Sequence, residues 1–233
     1  MKVLVIDTSS MAASTAIFED QTLIKECFLD TKETHSQKIM PLVDEVMTHT
    51  QTKVSEIDAY YVCEGPGSFT GVRIGIATAK GLAQPFGKPI YGFSSMFLIA
   101  SGFKGVSGLI IPMIDAKRMD VYYGVYEWQG EVLATLEEGV EPLETLLVAL
   151  QDKYPNQDLL FAGDALTAYP AVFENPQILG ESASLIFASE ADSIPRAGKI
   201  AISSVVTPES ASVHTIRANY MRKSQAERDQ SHA

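Results

Sequence analysis

Gly65-Pro66-Gly67-Ser68-Phe69-Thr70-Gly71-Val72-Arg73-Ile74-Gly75 is the stretch on which the reading of this chain turns. Just upstream, Ile57-Asp58-Ala59-Tyr60-Tyr61-Val62-Cys63 is rich in β-branched and aromatic residues and reads as a buried strand. Downstream, residues 72–83 contain no breaker except small glycines and read as a helix. The glycines therefore fall at a strand-to-helix turn. Gly65 and Gly67 permit positive φ and close approach of backbone, and Ser68 or Thr70 stands where a helix cap is needed. Such a turn aims N–H groups from a positive helix end and suits an anion. Gly65, Gly67, Ser68 and Thr70 are thus candidate nucleotide- or anion-binding residues. A turn shaped only for tight packing uses the same residues, and both readings stand.

The spacing excludes two phosphate-binding loops. No Gly-x-x-x-x-Gly-Lys-Ser/Thr occurs, and Gly65, Gly67 and Gly71 give Gly-x-Gly-x-x-x-Gly rather than the dinucleotide fingerprint. Neither His-Glu-x-x-His nor a Gly-x-Ser-x-Gly elbow is present. The chain has 18 Lys and Arg against 29 Asp and Glu, a net charge of −11. Phosphate contacts dominate nucleic-acid affinity, and the basic residues gather only in a mixed cluster of Arg217, Arg222, Lys223 and Arg228. A chain this acidic is not expected to grip nucleic acid alone, and in any such role a partner would supply the basic surface. The opening apolar run, residues 3–6, is cut by Asp7 and does not read as a signal peptide. No apolar stretch reaches the roughly 20 residues that span a bilayer, so no membrane role and a cytoplasmic location are expected. Cys27 and Cys63 lack Cys-x-x-Cys spacing and read as reduced packing residues.

With 233 residues, the chain can bury one large core or two small ones. Strands are predicted over 3–6, 14–18 and 21–29, then a helix over 34–49 opened by Thr34 and Gln37 in a capping-box pattern and carrying Pro41 inside it. A short strand over 89–92 closes the first half. The glycine-rich run 101–105 marks a boundary, giving lobes 1–104 and 105–233. The second half starts again with strands over 108–114, 120–128 and 131–136. A helix over 141–153, a strand over 159–162 and helices near 166–174 and 197–206 follow. Both halves open with a strand and an Asp-containing turn, at Asp7 and at Asp115.

Asp7-Thr8-Ser9 ends a buried-looking strand, and Asp before Thr and Ser closes an ordinary hydrogen-bonded turn. His35 has Ile39, not a second histidine, four residues on, so no metal pair forms on one helical face. No catalytic residue and no metal ligand is assigned. In the helix after the glycine turn, Gly71, Gly75 and Ala79 recur every four residues, flanked by Ile74, Thr78 and Leu82. Glycine costs about 1 kcal/mol relative to alanine inside a helix, which points to close approach on that face. The approach is either to a partner helix, making these six residues a partner interface, or to the protein's own sheet.

The run from Glu64 to Ala83, with Val3-Leu4-Val5-Ile6-Asp7-Thr8-Ser9-Ser10, His35-Ser36, Met40-Pro41-Leu42, Ile114-Asp115-Ala116-Lys117-Arg118, Asp120-Val121-Tyr122 and Ala218-Asn219-Tyr220-Met221-Arg222, resembles the TsaB (YeaZ-like) family. The resemblance spans nearly the whole chain and is weak over 140–206. It implies an α/β, actin-like (ASKHA) fold of two lobes, each a mixed sheet with flanking helices, with the chain end packing back on the first lobe and with Asp7, Thr8 and Ser9 as candidate nucleotide-binding residues where active relatives hold metal and phosphate. It implies a non-catalytic subunit in tRNA threonylcarbamoyladenosine synthesis, supporting a TsaD-like catalytic subunit alongside a TsaE-like ATPase. It further implies self-association or TsaD contact through the first lobe, no intrinsic cofactor, and ATP at a junction of subunits. A small-molecule phosphotransferase on the same fold is the alternative; a metal-dependent peptidase is disfavoured by the missing ligand pair.

Overall fold

The computed structural model describes residues 1–175, 184–205 and 213–221. Arg222, Lys223, Arg228 and His232 lie outside the described residues. The first sheet has the order β3-β2-β1-β4-β5, built from β1 (Lys2–Asp7), β2 (Ala13–Glu19), β3 (Thr22–Leu29), β4 (Ala59–Gly65) and β5 (Ile90–Ser94). β1, β2 and β3 pair antiparallel, while β4 joins β1 and β5 in parallel. Helix α1 (His35–His49) makes the crossover from β3 to β4, and α2 (Phe69–Ala83) the crossover from β4 to β5.

The second sheet repeats this topology. Strands β6 (Leu109–Asp115), β7 (Asp120–Gln129), β8 (Val132–Pro142), β9 (Leu159–Ala162) and β10 (Leu185–Phe187) lie in the order β10-β9-β6-β7-β8. Again the first three strands form an antiparallel meander, and the last two add in parallel on the other side. Helix α4 (Leu143–Lys153) is the counterpart of α1. Helix α3 (Ser95–Ser101) links the two sheets and is buried along its whole length.

Strand β1 shows how the layers stack. Leu4 and Ile6 face α1 and α2 together with Val46, Val72 and Ala79, whereas Val3 and Val5 face the centre of the molecule. Both faces are apolar, as befits a strand covered on both sides. The central layer brings Val5, Phe18, Tyr61 and Phe93 of the first sheet together with Met96 and Leu98 of α3, and with Ile110, Tyr126 and Leu160 of the second. Behind the second sheet, Leu143, Leu146, Leu147 and Leu150 of α4 cover Ile111, Val125 and Phe161.

Several elements differ from the sequence expectation for identifiable reasons. Helix α2 begins at Phe69 because Ser68 Oγ accepts from the Gly71 N–H (3.1 Å) and caps it. Strand β8 runs on to Pro142 past Glu137 and Glu138, where Tyr126 OH and Ser94 Oγ donate to the Glu138 carboxylate. The region near 166–174 forms two short helices, α5 (Ala165–Ala168) and α6 (Pro170–Phe173), split at Tyr169. Proline disfavours helical backbone in the residue before it. No helix forms across 197–205, only 3-10 turns at Ala197–Lys199 and Ile202–Ser204. There the Ala197 N–H donates to Ser14 Oγ and the Gly198 N–H to Glu26 Oε1 (both 2.9 Å), so side chains of β2 and β3 take the donors a helix needs. Residue 206 lies outside the described residues.

Later segments also touch the first sheet's helices. Ile216 is buried with α1 and α2, the Asn219 N–H donates to Glu64 O (2.8 Å), and Arg73 Nε donates to Tyr220 OH (2.6 Å).

Candidate functional site

The end of β1 and the glycine turn after β4 lock into each other. The Ser68 N–H donates to Ser9 O (2.7 Å), and Thr8 Oγ1 donates to Gly71 O (2.8 Å). Gly67, at φ +151°, lies so close that a Cβ there would come within 2.2 Å of Ser9 O. The N–H groups of Ser68, Gly71 and Val72 all have protein acceptors. The neighbouring strand end thus takes up part of the turn's hydrogen-bonding capacity. Asp7 is fully buried; its Oδ1 accepts from the Ser9 N–H (3.1 Å), and its Oδ2 has no partner among the described residues. Burial pushes its carboxyl above the ordinary range.

The equivalent strand end in the second lobe is more open and more charged. Asp115, the last residue of β6, accepts at Oδ1 from the Lys117 N–H (2.7 Å) and Tyr169 OH (2.6 Å), and pairs through Oδ2 with Lys117 Nζ (2.5 Å). Its own N–H donates to Asp164 Oδ1 (2.8 Å), just beyond β9. Lys117, Arg118 and Met119 take positive φ values of 68°, 63° and 64° in succession, an uncommon backbone for such residues. Burial works against an ionised Asp115, but the Lys117 and Tyr169 hydrogen bonds outweigh it and hold the carboxyl below its usual range. The Asp115 contact raises Lys117, and burial raises Asp164.

Between these strand ends lies a cleft of about 540 Å³, lined by Ser9, Gly67 and Ser68 on one wall and by Asp115, Lys117 and Asp164 on the other. Hydroxyls face an acid–base pair across it, an arrangement suited to a polar ligand. Of the sequence candidates, Ser9, Gly67 and Ser68 reach this cleft. Asp7, Thr8 and Gly65 are buried and do not line it, and Thr70 is exposed on α2 away from it. Sequence reasoning assigned no site residue to the second wall. Its signal was the position of Asp115, which ends β6 as Asp7 ends β1.

The small-residue face of α2 is corrected by the geometry. Gly71, Gly75 and Ala79 are buried, and a Cβ on Gly71 would come within 2.1 Å of Thr8 O, one on Gly75 within 2.4 Å of Thr8 Oγ1. The close approach is to the end of β1, so these three residues are not a seam open to a partner. Ile74, Thr78 and Leu82 are half-buried at the edge of the helix's outer face, where Phe69, Arg73, Ala77 and Gly81 are exposed. At the head of α1, His35 Nε2 lies 2.8 Å from Ser10 O, while Ile39 is buried with Leu42 and Val43. Thr34 opens that helix through its N–H, which donates to Gln37 Oε1 (3.2 Å).

The Asp115 network has a testable pH signature. Its folded-state pKa is lowered, so its stabilisation is full above the unfolded value of about 3.9 and is lost as pH falls through the lowered folded value. Asp115→Asn is therefore expected to flatten the acid limb of the melting-temperature profile, measured from neutral pH down to about pH 2. An unchanged acid limb would show that the pairing carries no stability.

Comparison with known proteins fits this geometry. The family model described as "TsaD: tRNA N6-adenosine threonylcarbamoyltransferase" matches residues 29–229. The tRNA threonylcarbamoyladenosine biosynthesis protein TsaB of Bacillus subtilis (strain 168) is 31% identical over 232 residues, covering 97% of this chain and 96% of that protein. The chain belongs to the TsaB family. Membership places it in tRNA threonylcarbamoyladenosine biosynthesis. A Pseudomonas aeruginosa structure, described as an uncharacterized protein with similarity to peptidase YEAZ, superimposes with a TM-score of 0.75 at 23% identity, over 95% of this chain and 99% of that one. The activator of 2-hydroxyisocaproyl-CoA dehydratase from Clostridium difficile, solved with bound ADPNP, gives a TM-score of 0.50 at 9% identity over 100% and 98% of the two chains. The TsaB-family chain therefore has the actin-like, two-lobed α/β fold, each lobe a mixed sheet with flanking helices. Among the described residues no helix is long and apolar enough to cross a membrane.

Proposed function

We propose that this chain is a non-catalytic subunit, acting in the cytoplasm, that supports a TsaD-like transferase in moving a threonylcarbamoyl group onto the adenosine beside the tRNA anticodon. One observation carries the reading. At the head of α1, His35 is tied to Ser10 O, and position 39, where the resemblance to a TsaD-like catalytic subunit implies a second metal-binding histidine, is a core isoleucine. A divalent metal needs convergent ligands, and Ile39 supplies none.

The net charge of −11 supports an indirect relation to tRNA, with the partner providing the basic surface. The lobe of residues 1–104 is the partner-binding one in this reading, and residues 105–233 form the second lobe. The contact face is the outer side of α2, with Ile74, Thr78 and Leu82 at its border. The same face serves a homodimer when the transferase is absent. A TsaE-like ATPase is the third component. ATP sits where the subunits meet, within reach of Ser9, Gly67 and Ser68 in the cleft, and is not turned over by this chain alone.

The deciding experiment is reconstitution. A mixture of transferase, ATPase, threonylcarbamoyl-adenylate-forming enzyme and tRNA is expected to lose modified adenosine when this chain is left out. Full modification without it would refute the supporting role. Steady ATP turnover by the pure chain would favour the phosphotransferase alternative.

A further inference from the structure

Cys27 lies on β3, the edge strand of the first sheet, and its thiol is buried. Glu45 and His49 stand one helical turn apart on α1, both exposed, at the end of the helix that packs over β2 and β3. The fold thus brings a thiol, a carboxylate and an imidazole together from two elements, with one donor atom of each within 4.8 Å of the others. We propose that Cys27, Glu45 and His49 form a three-ligand site for a zinc-like divalent cation, far from the head of α1 where His35 lacks its partner.

Three physical arguments support it. First, the distances suit closure. A tetrahedral zinc bound at about 2.0–2.3 Å holds its donors roughly 3.3–3.8 Å apart, and His49 Nδ1 already lies 3.9 Å from Glu45 Oε1. The remaining adjustment falls on exposed side chains that can rotate. Second, thiolate and imidazole together select zinc over magnesium or calcium, which prefer oxygen ligands. Third, His49 is the last residue of α1, so the cation would sit at the negative end of a 15-residue helix.

The charge balance is complete. Thiolate and carboxylate neutralise a divalent ion, and His49 binds as the neutral imidazole. The metal displaces the thiol proton of Cys27, which leaves to solvent. Burial and the Glu45 carboxylate raise that thiol to about 11, so metal and proton compete for the sulfur. Three protein ligands leave a fourth position for water. Binding would clamp the edge strand β3 to the end of α1. This site does not depend on the reading of the cleft.

The test uses the whole chain, stripped with chelator and titrated with Co(II) alone. A thiolate-to-cobalt charge-transfer band is expected to saturate at a stoichiometric ratio, to bleach on adding Zn(II), and to be accompanied by a higher melting temperature. Cys27→Ser should abolish the band, and Cys63→Ala should keep it. Glu45→Gln and His49→Ala change exposed residues and should fold normally, each weakening Co(II) binding by at least about tenfold. If Cys27→Ser does not fold, the two exposed variants decide. No thiolate band, a band that survives Cys27→Ser, or unchanged affinity in both exposed variants overturns the site.

Discussion

Gly71→Ala and Gly75→Leu are each expected to destabilise the isolated chain by about 3 kcal/mol or more, at the upper end of the range for overpacked interiors. At position 71 the new Cβ would lie 2.1 Å from the backbone oxygen of Thr8 and 3.0 Å from Ser68 Oγ, the capping atom. That oxygen belongs to the backbone of the residue directly after β1, so it cannot step aside without shifting the strand end. At position 75 the Cβ would lie 2.4 Å from Thr8 Oγ1, and the rest of a leucine would meet Ile6. Removing a helical glycine gains only about 1 kcal/mol, so the clash wins at both sites. For a chain of this size the loss corresponds to a melting temperature lower by about 6–12 °C. Gly81 is the control, because a Cβ there has nothing within 4 Å. Gly81→Ala is expected to raise stability by about 1 kcal/mol. Calorimetric or circular-dichroism melts of the three variants decide the matter. If Gly75→Leu melts like the parent, then α2 does not press on β1 in this way.

Ala77→Arg is expected to have the opposite profile: normal folding and loss of partner binding. Ala77 is exposed on the outer face of α2, between Arg73 and Gly81, and surface changes of this kind usually fall within about 0.5 kcal/mol of neutral. If the outer face is the contact with a TsaD-like partner, an arginine there buries an unpaired charge and holds the helices apart. Central interface positions lose about 2–4 kcal/mol on disruption, and about 2.7 kcal/mol is a hundredfold in affinity. Sedimentation or calorimetric titration against a TsaD homologue, with a parallel melt, reads both quantities. Binding at parental affinity by a folded Ala77→Arg protein would move the interface off this helix.

The contrast between the two predictions shows where sequence reading stops. The four-residue spacing of Gly71, Gly75 and Ala79 correctly signals that something approaches α2 closely. Spacing alone does not say from which side the approach comes, because a helix face that meets a partner and one that meets its own sheet carry the same small residues. The same limit applies to Asp7. Its place at the end of a strand was legible, but its complete burial and its absence from the cleft lining follow only from the tertiary packing.

What the sequence by itself determined was local and periodic. It located the strand–turn–helix at 57–83, and the capping pattern of α1 with Ile39 at the second-ligand position. It also specified the apolar faces of α1 and α4 and the two strand–Asp openings of the halves. These rest on backbone geometry and on 3.6- and 2-residue periods, which neighbouring residues specify. The tertiary structure decided what requires distant segments to meet. It paired Thr8 with Gly71, set Asp115 beside Asp164 and Tyr169, and formed a cleft from two strand ends more than a hundred residues apart. It also gathered Cys27, Glu45 and His49, whose spacings of 18 and 4 residues resemble no local motif. Such groupings are fixed by the crossover of α1 over the first sheet and by the facing of the two sheets across α3, and no short window of sequence carries that information.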